Sequence, residues 1–172
     1  MNPITESGLR ASFVNCSKGE ARRLSVPRDL AGTPWPDLDF LGWRDPGAPE
    51  RAYLVAERDG EPLGVALRLG QDRRRSFTKS TLCSVCVTPH AGTGVALFTA
   101  PRVGAAGRQG NTVGAYMCAD LACSLYVRGR KRTEPGERFE TLTAEERIAR
   151  AAVNLDAFLN RVLDDNLAAA SA

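Results

Sequence analysis

The sequence predicts an α+β fold, an antiparallel sheet with flanking helices, and three patterns support this class. Apolar residues alternate with small or polar ones over residues 63–69, which is the period of a strand with one buried face. Asp59-Gly60, just before them, is a turn signal for a hairpin with a strand over residues 52–56. Near the C-terminus, apolar residues recur every three or four positions, as on one face of a helix.

Two short helices are predicted ahead of the sheet. Thr5 is a candidate N-cap for a helix that ends at Lys18-Gly19. Cys16 would lie on the apolar face of that helix, where an unpaired thiol behaves as a small core residue. A second helical piece is expected over residues 20–24, ahead of Pro27.

Residues 27–50 are rich in proline and glycine and are predicted to form a loop. Three large aromatic residues, Trp35, Phe40 and Trp43, lie within this segment. Aromatic residues in such a segment either pin the loop to the core or present it to a partner. The sequence leaves both interpretations open.

The remaining elements complete the sheet and add a C-terminal helix. Further strands are predicted over residues 76–82, 95–99 and 112–117, with a glycine-rich loop, residues 104–110, between the last two. Thr143 and Glu146 have the spacing of a capping box. The capping box and the periodic apolar residues after it predict a helix over about residues 143–164.

Four of the five cysteines form two pairs, Cys83-x-x-Cys86 and Cys118-x4-Cys123. Zinc takes four ligands in a tetrahedron, and thiolates serve it well. A C-x-x-C on a tight turn brings two sulfurs to one point. Asp120 as the N-cap of a helix through residue 128 would place Cys123 in the first turn, where the helix dipole favours a thiolate. This arrangement predicts one structural zinc in a treble-clef finger over about residues 79–130.

Other interpretations of the cysteines remain open from spacing alone. A C-x-x-C can be a redox pair, although that usually requires a βαβ context. Four thiols can also be buried together without a metal. His90, four residues after Cys86, is a further candidate ligand, but four cysteines already complete the shell.

Several classes of function are disfavoured. The N-terminus has no basic region followed by an apolar stretch, and no apolar run approaches the ~20 residues that span a membrane. We therefore expect a cytoplasmic protein without a membrane partner. The one histidine would have to serve every catalytic role, there is no P-loop, and a closed zinc shell leaves no position for water. We expect a binding protein with no small-molecule substrate, not an enzyme.

The net charge of +3 is mild, but two segments are locally basic. The first lies within residues 71–80 and contains Arg73, Arg74, Arg75 and Lys79. The second follows the last cysteine and contains Arg128, Arg130, Lys131 and Arg132. Such clusters suit an acidic partner or RNA phosphates. An ordinary solvated face is the alternative.

Three stretches carry a family resemblance: Lys79-Ser-Thr-Leu-Cys-Ser-Val-Cys86, Val95-Ala-Leu-Phe-Thr-Ala100 and Gly114-Ala-Tyr-Met-Cys-Ala-Asp-Leu-Ala-Cys-Ser124. In this order they resemble the zinc-binding domain of the FusB-type elongation factor G-binding proteins, which are fusidic-acid resistance proteins. The resemblance extends over residues 5–163 and is strongest between residues 79 and 130.

The resemblance implies one such domain, the FBP domain, over residues 1–172, with the four paired cysteines as zinc ligands. It implies binding of elongation factor G, which in that family promotes release of the factor from the ribosome when the drug has trapped it. The helical bundle that precedes the domain in that family has no counterpart in these 172 residues. Factor binding is therefore the part of the activity that we expect here.

The segment after Cys123 is the candidate surface for this factor. Anchoring by a metal lowers the entropy lost on binding, and Tyr and Arg are the residue types most often found as interface hot spots. The candidate set is Phe98, Tyr126, Arg128, Arg130, Lys131 and Arg132. Two alternatives remain: Tyr126 packs inward while the basic residues are only solvated, or the basic residues bind RNA or the ribosome.

Overall fold

A computed structural model describes residues 1–70, 81–133 and 140–164 of the chain. The strands in these residues are β1 (Phe40–Arg44), β2 (Arg51–Arg58), β3 (Glu61–Leu69), β4 (Thr81–Leu82), β5 (Pro89–His90), β6 (Val95–Pro101) and β7 (Thr112–Cys118). The helices are α1 (Glu6–Ala11), α2 (Lys18–Arg23), α3 (Gly104–Arg108), α4 (Cys123–Val127) and α5 (Ala144–Leu163), with a 3₁₀ turn at Trp35–Asp37.

Five of the strands form one antiparallel sheet in the order β1-β2-β3-β6-β7, and β4 and β5 form a separate ribbon. The hairpin between β2 and β3 turns at Asp59 and Gly60, whose φ angles of 52° and 80° are both left-handed, as a two-residue hairpin turn requires. The predicted α+β class with an antiparallel sheet is confirmed.

Strand β2 separates two apolar layers because its side chains alternate between the two faces of the sheet. Leu54 belongs to the larger cluster, which contains the four paired cysteines and the buried face of α5. Tyr53 and Val55 belong to a smaller cluster, formed with α1, α2 and the proline-rich segment. The cysteines and the N-terminal helices therefore lie on opposite faces of the sheet.

The N-terminal helices differ in part from their predicted bounds. Thr5 is the N-cap as predicted, since its hydroxyl accepts from the Gly8 amide at 3.2 Å, but α1 ends at Ala11. Ser17 caps α2 and forms a capping box with Glu20, so a new helix begins where the first was expected to end. Cys16 consequently lies between the helices, half-buried against the smaller cluster.

The proline-rich segment is not wholly a loop, because it contains the 3₁₀ turn and strand β1. Trp35 and Phe40 are buried at 6% and 2% exposure. The indole of Trp43 donates to the Ser25 carbonyl at 2.7 Å and meets Phe13 edge-on. The aromatic residues therefore pin this segment to the core, which confirms that interpretation over presentation to a partner.

The remaining predicted elements are confirmed only in part. The glycine-rich segment predicted as a loop contains α3. The strand predicted over residues 76–82 lies mostly outside the described residues, which include only β4 at its end. Helix α5 starts with the predicted capping box between Thr143 and Glu146 and buries Leu155 and Phe158. Within the described ranges, no helix is long and apolar enough to cross a membrane.

Candidate metal centre

The first cysteine pair lies on the turn between β4 and β5. The backbone N–H groups of Val85 and Cys86 point at the Sγ of Cys83, at 3.4 and 3.5 Å. The amide of Val87 donates to the Cys83 carbonyl at 2.9 Å and closes the turn. Val87 has a φ of 60°, which a β-branched residue rarely adopts. The turn holds both thiols toward one point at the expense of local strain.

The second pair joins a strand to a helix. Cys118 is the last residue of β7, and Cys123 is the first residue of α4. Leu121 between them has a φ of 56°, and its amide donates to the Cys118 carbonyl at 2.8 Å. The predicted N-cap is corrected: Ala122 holds that position, and Asp120 accepts from the Ala122 amide at 3.1 Å. Asp120 braces the turn ahead of the helix, because the helix begins two residues later than predicted.

The four thiols converge with the dimensions of a zinc site. All four sulfur atoms lie within 4.8 Å of one another. Cys83 Sγ is 3.6 Å from Cys123 Sγ, and Cys86 Sγ is 3.4 Å from Cys118 Sγ. Ligands ~2.3 Å from a tetrahedral zinc would be about 3.8 Å apart, whereas a disulfide is ~2.05 Å long. The residues present fit one structural zinc ion, held in a closed shell of four thiolates.

Burial explains why this cluster suits a metal. Each of the four cysteines is at most 1% exposed. Without a metal the sulfurs share protons: contact with Cys118 lowers the pKa of the Cys83 and Cys86 thiols, and the same contact raises the pKa of Cys123. Zinc displaces these protons because only thiolates coordinate it. The 2+ charge of the ion offsets two of the four thiolate charges, and N–H groups directed at the sulfurs stabilise part of the remainder.

His90 lies beside the cluster rather than within the ligand set. Its Nε2 is 3.2 Å from the Sγ of Cys118, and the residue is 6% exposed. A thiolate bound to zinc carries no proton, so Nε2–H is the donor in the zinc-bound state. His90 therefore orients and stabilises a ligand, which is a common role for a group in the shell around a metal site.

The outer side of α4 is braced by Asp120. The Tyr126 hydroxyl donates to Asp120 Oδ2 at 2.9 Å, and the Lys131 ammonium reaches the same oxygen at 2.6 Å. Burial, together with the hydrogen bond to Asp120, raises the pKa of Tyr126. Tyr126 is half-buried, with its ring edge-on to His90 at a centroid distance of 4.9 Å. The Tyr126 side chain therefore packs partly inward, and its contacts with Asp120 and His90 fix its position.

Two of the four basic residues of this edge pair with aspartates of the proline-rich segment. Arg128 makes two hydrogen bonds to Asp39, at 2.6 and 2.8 Å, and both side chains are mostly buried. Arg130 lies 3.5 Å from Asp37 and remains 67% exposed. These aspartates lie about ninety residues before the arginines in the chain, so no local sequence pattern could reveal the pairing. The edge carries mixed charge, whereas the sequence predicted a locally basic one.

Two members of the predicted partner-binding set are corrected. Phe98 is 0% exposed and lies in the core with α5, so it cannot contact a partner on the surface. Arg128 was placed in the candidate surface, but its pairing with Asp39 makes it part of the fold. Arg130, Lys131 and Arg132 are exposed. The first basic cluster, Arg73, Arg74, Arg75 and Lys79, lies outside the described residues.

The four cysteines are surrounded by two tight turns, a short ribbon and a ligand-bearing helix. This arrangement defines a treble-clef zinc finger within an α+β domain. The chain belongs to the FBP C-terminal treble-clef zinc-finger family, whose model matches residues 8–162. The family assignment confirms the resemblance that the cysteine-bearing stretches indicated. A comparison with curated proteins gives no match.

A solved structure with a similar fold is that of the fusidic acid resistance protein FusC. The TM-score is 0.54 at 14% sequence identity, and the match covers 94% of this chain. It covers 59% of the FusC chain, so this chain spans less than two thirds of that length. At this identity the likeness concerns the fold.

Proposed function

We propose that this protein binds elongation factor G through its zinc finger and promotes release of the factor from the ribosome, without catalysing a reaction, in the cytoplasm. Membership of the FBP treble-clef family carries the proposal. The fold shared with a fusidic acid resistance protein supports it. We place the contact at the outer edge of α4, formed by Tyr126, Arg130, Lys131 and Arg132.

The rigidity of this edge supports its role in binding. Helix α4 is fixed at its start by Cys123, a member of the metal cluster, and at its end by the paired Arg128 and Asp39. Tyr126 and Lys131 share one carboxylate, that of Asp120. Side chains held in this way lose little conformational entropy on binding, so more of the contact energy contributes to affinity.

The charge of the edge favours a protein partner over RNA. Arg128, Arg130 and Lys131 each lie beside an aspartate. Arg132 is exposed, and no ion pair joins it to a carboxylate in the described part of the chain. RNA backbone binding relies on unpaired cations that displace counterions. A mixed-charge edge with a central tyrosine is closer to a protein–protein contact.

Calorimetry with purified elongation factor G tests this proposal. Joint replacement Arg130→Glu and Arg132→Glu should weaken binding by at least tenfold, about 1.4 kcal/mol, with zinc content unchanged. The matched control is Arg22→Glu with Arg108→Glu, two exposed arginines on α2 and α3. Equal affinity in the wild type and the edge variant would rule this surface out. Factor binding abolished by nuclease treatment would indicate RNA instead.

Release is measured separately from binding. Elongation factor G is trapped on ribosomes with fusidic acid, and dissociation of the labelled factor is followed after adding the protein. We expect faster release with the wild type and none above background with the edge variant. An unchanged rate alongside tight binding would limit the function to factor binding.

A further inference from the structure

A cavity of about 330 Å³ lies between α2 and the β2–β3 hairpin, on the sheet face opposite the cysteine cluster. Its apolar wall includes Leu24, Ala66 and Pro101. Asn15 forms one border, and its side chain is held by the Ala66 amide and by the Ala66 and Pro101 carbonyls at 2.7–3.0 Å. The cavity wall is therefore built by fixed contacts between separate parts of the chain.

Three arginines line this cavity, Arg23 from α2, Arg51 from β2 and Arg68 from β3, and all three are exposed. Arg51 and Arg68 lie directly opposite each other in the register of the hairpin, and so share a face of the sheet. Like charges in directly opposed positions destabilise a sheet. A sequence that breaks a local rule of this kind often does so for function.

Few negative charges offset these arginines. Among the described residues that line the cavity, Glu20 is the single carboxylate. One of its oxygens accepts from the Ser17 amide at 2.9 Å and from the Ser17 hydroxyl at 2.8 Å. These bonds, and to a smaller extent the charges of Arg68 and Arg23, lower the pKa of Glu20, so this one carboxylate offsets only part of the arginine charge. Glu50 lies 3.9 Å from Arg51, but both side chains are more than half exposed, and such a pair contributes little. The cavity keeps an excess of positive charge.

We propose that this cavity binds the phosphate group of a small phosphorylated ligand through Arg23, Arg51 and Arg68. Guanidinium groups bind phosphate oxygens in a bidentate manner, which fixes orientation as well as affinity. The volume is at the lower end of small-ligand sites, and the apolar wall would receive the organic part of the ligand. An RNA strand would require cations along an extended track, whereas these three line one concave space.

Cys16 provides a reporter of occupancy, because it lines the same cavity and lies outside the metal cluster. Burial, and next the Glu20 carboxylate, raise the pKa of its thiol, so alkylation of the free protein is slow but measurable by mass spectrometry. A bound anion both covers the thiol and disfavours its thiolate.

The experiment uses the full-length, zinc-loaded protein, with inorganic pyrophosphate and adenosine monophosphate as probes at constant ionic strength. We expect both to slow iodoacetamide labelling of Cys16, while added chloride does not. Replacing Arg51→Gln and Arg68→Gln together should weaken protection at least about tenfold, because charge-assisted hydrogen bonds are lost. The matched control, Arg22→Gln, changes an exposed arginine of α2 that does not line the cavity.

Thermal melting separates a binding role from a structural one. Removing the opposed cations should leave the melting temperature of the ligand-free protein unchanged or raised, because their repulsion is relieved. A lowered melting temperature would assign the arginines to the fold and overturn the proposal. Three other results would also overturn the proposal. Both probes could leave the rate of Cys16 labelling unchanged, or the double variant could be protected as well as the wild type. A short RNA could also be the one probe that protects Cys16.

Discussion

The Nε2 of His90 lies 3.2 Å from the Sγ of Cys118, and this contact links the metal cluster to the outer edge of the finger. The His90 ring meets Tyr126 edge-on, and the Tyr126 hydroxyl donates to Asp120. Asp120 in turn holds Lys131 at 2.6 Å. One continuous set of contacts therefore runs from a zinc ligand to the candidate binding surface.

Replacing His90→Phe should weaken zinc binding without changing its stoichiometry. Phenylalanine keeps an aromatic ring beside Tyr126 but removes the donor to Cys118. Loss of a partner of this kind typically lowers metal affinity ~10- to 100-fold. Competition with a chromogenic chelator measures the affinity, and elemental analysis measures the stoichiometry. Complete loss of zinc would instead make His90 a ligand.

Local spacing was sufficient to predict much of this site. Pairs such as Cys83-x-x-Cys86 constrain their own geometry, so the sequence carried the metal signal directly. The same holds for the β2–β3 hairpin, where the turn residues and the alternation agree. His90 was considered only as a candidate ligand, because its role as a donor to Cys118 depends on how β5 pairs with β4.

Long-range contacts were the part that the sequence did not reveal. Asp39 meets Arg128 across 89 residues of chain, so no local pattern could pair them. Strand β1 was missed because the prolines around it favour a loop, and the sheet overrides that preference. Gly42 in β1 lies so close to the zinc-finger turn that a Cβ there would be 2.5 Å from the Leu121 Cβ. At such positions the secondary structure is set by tertiary packing, which a local sequence pattern does not show.

Joint replacement of Cys83→Ser and Cys123→Ser should abolish tight zinc binding. A hydroxyl is a far weaker zinc ligand than a thiolate, and the remaining two cysteines cannot complete a tetrahedron. Elemental analysis of the purified variant gives the answer, and zinc retained at one ion per chain would refute the ligand assignment. Cys16→Ala is the matched control, because Cys16 is a cysteine outside the cluster, and it should retain its zinc.

Removing the metal should unfold at least the finger itself. The four cysteines belong to the same buried cluster as Phe98, Met117 and Phe158. Structural zinc in small fingers contributes about 10–16 kcal/mol of apparent binding energy, which is folding energy. We expect Cys118→Ala to lose the cooperative thermal transition and amide protection over residues 81–130. Hydrogen exchange tests this, and protection equal to the wild type would mean that the zinc is incidental to the fold.

The pairing of Arg128 with Asp39 should stabilise the fold, whereas Arg130 should not. The two hydrogen bonds between Arg128 and Asp39 join α4 to the segment ahead of β1, and the side chains are only 17% and 21% exposed. Hydrogen bonds of this charged kind contribute roughly 1.5–3 kcal/mol, so Arg128→Ala should lower the free energy of unfolding by about that amount. Arg130→Ala should change it by less than about 0.5 kcal/mol, because that side chain is 67% exposed. Urea unfolding of both variants makes the comparison. A double-mutant cycle with Asp39→Asn then isolates the pair, and a coupling energy near zero would show that Arg128 is free to serve the surface after all.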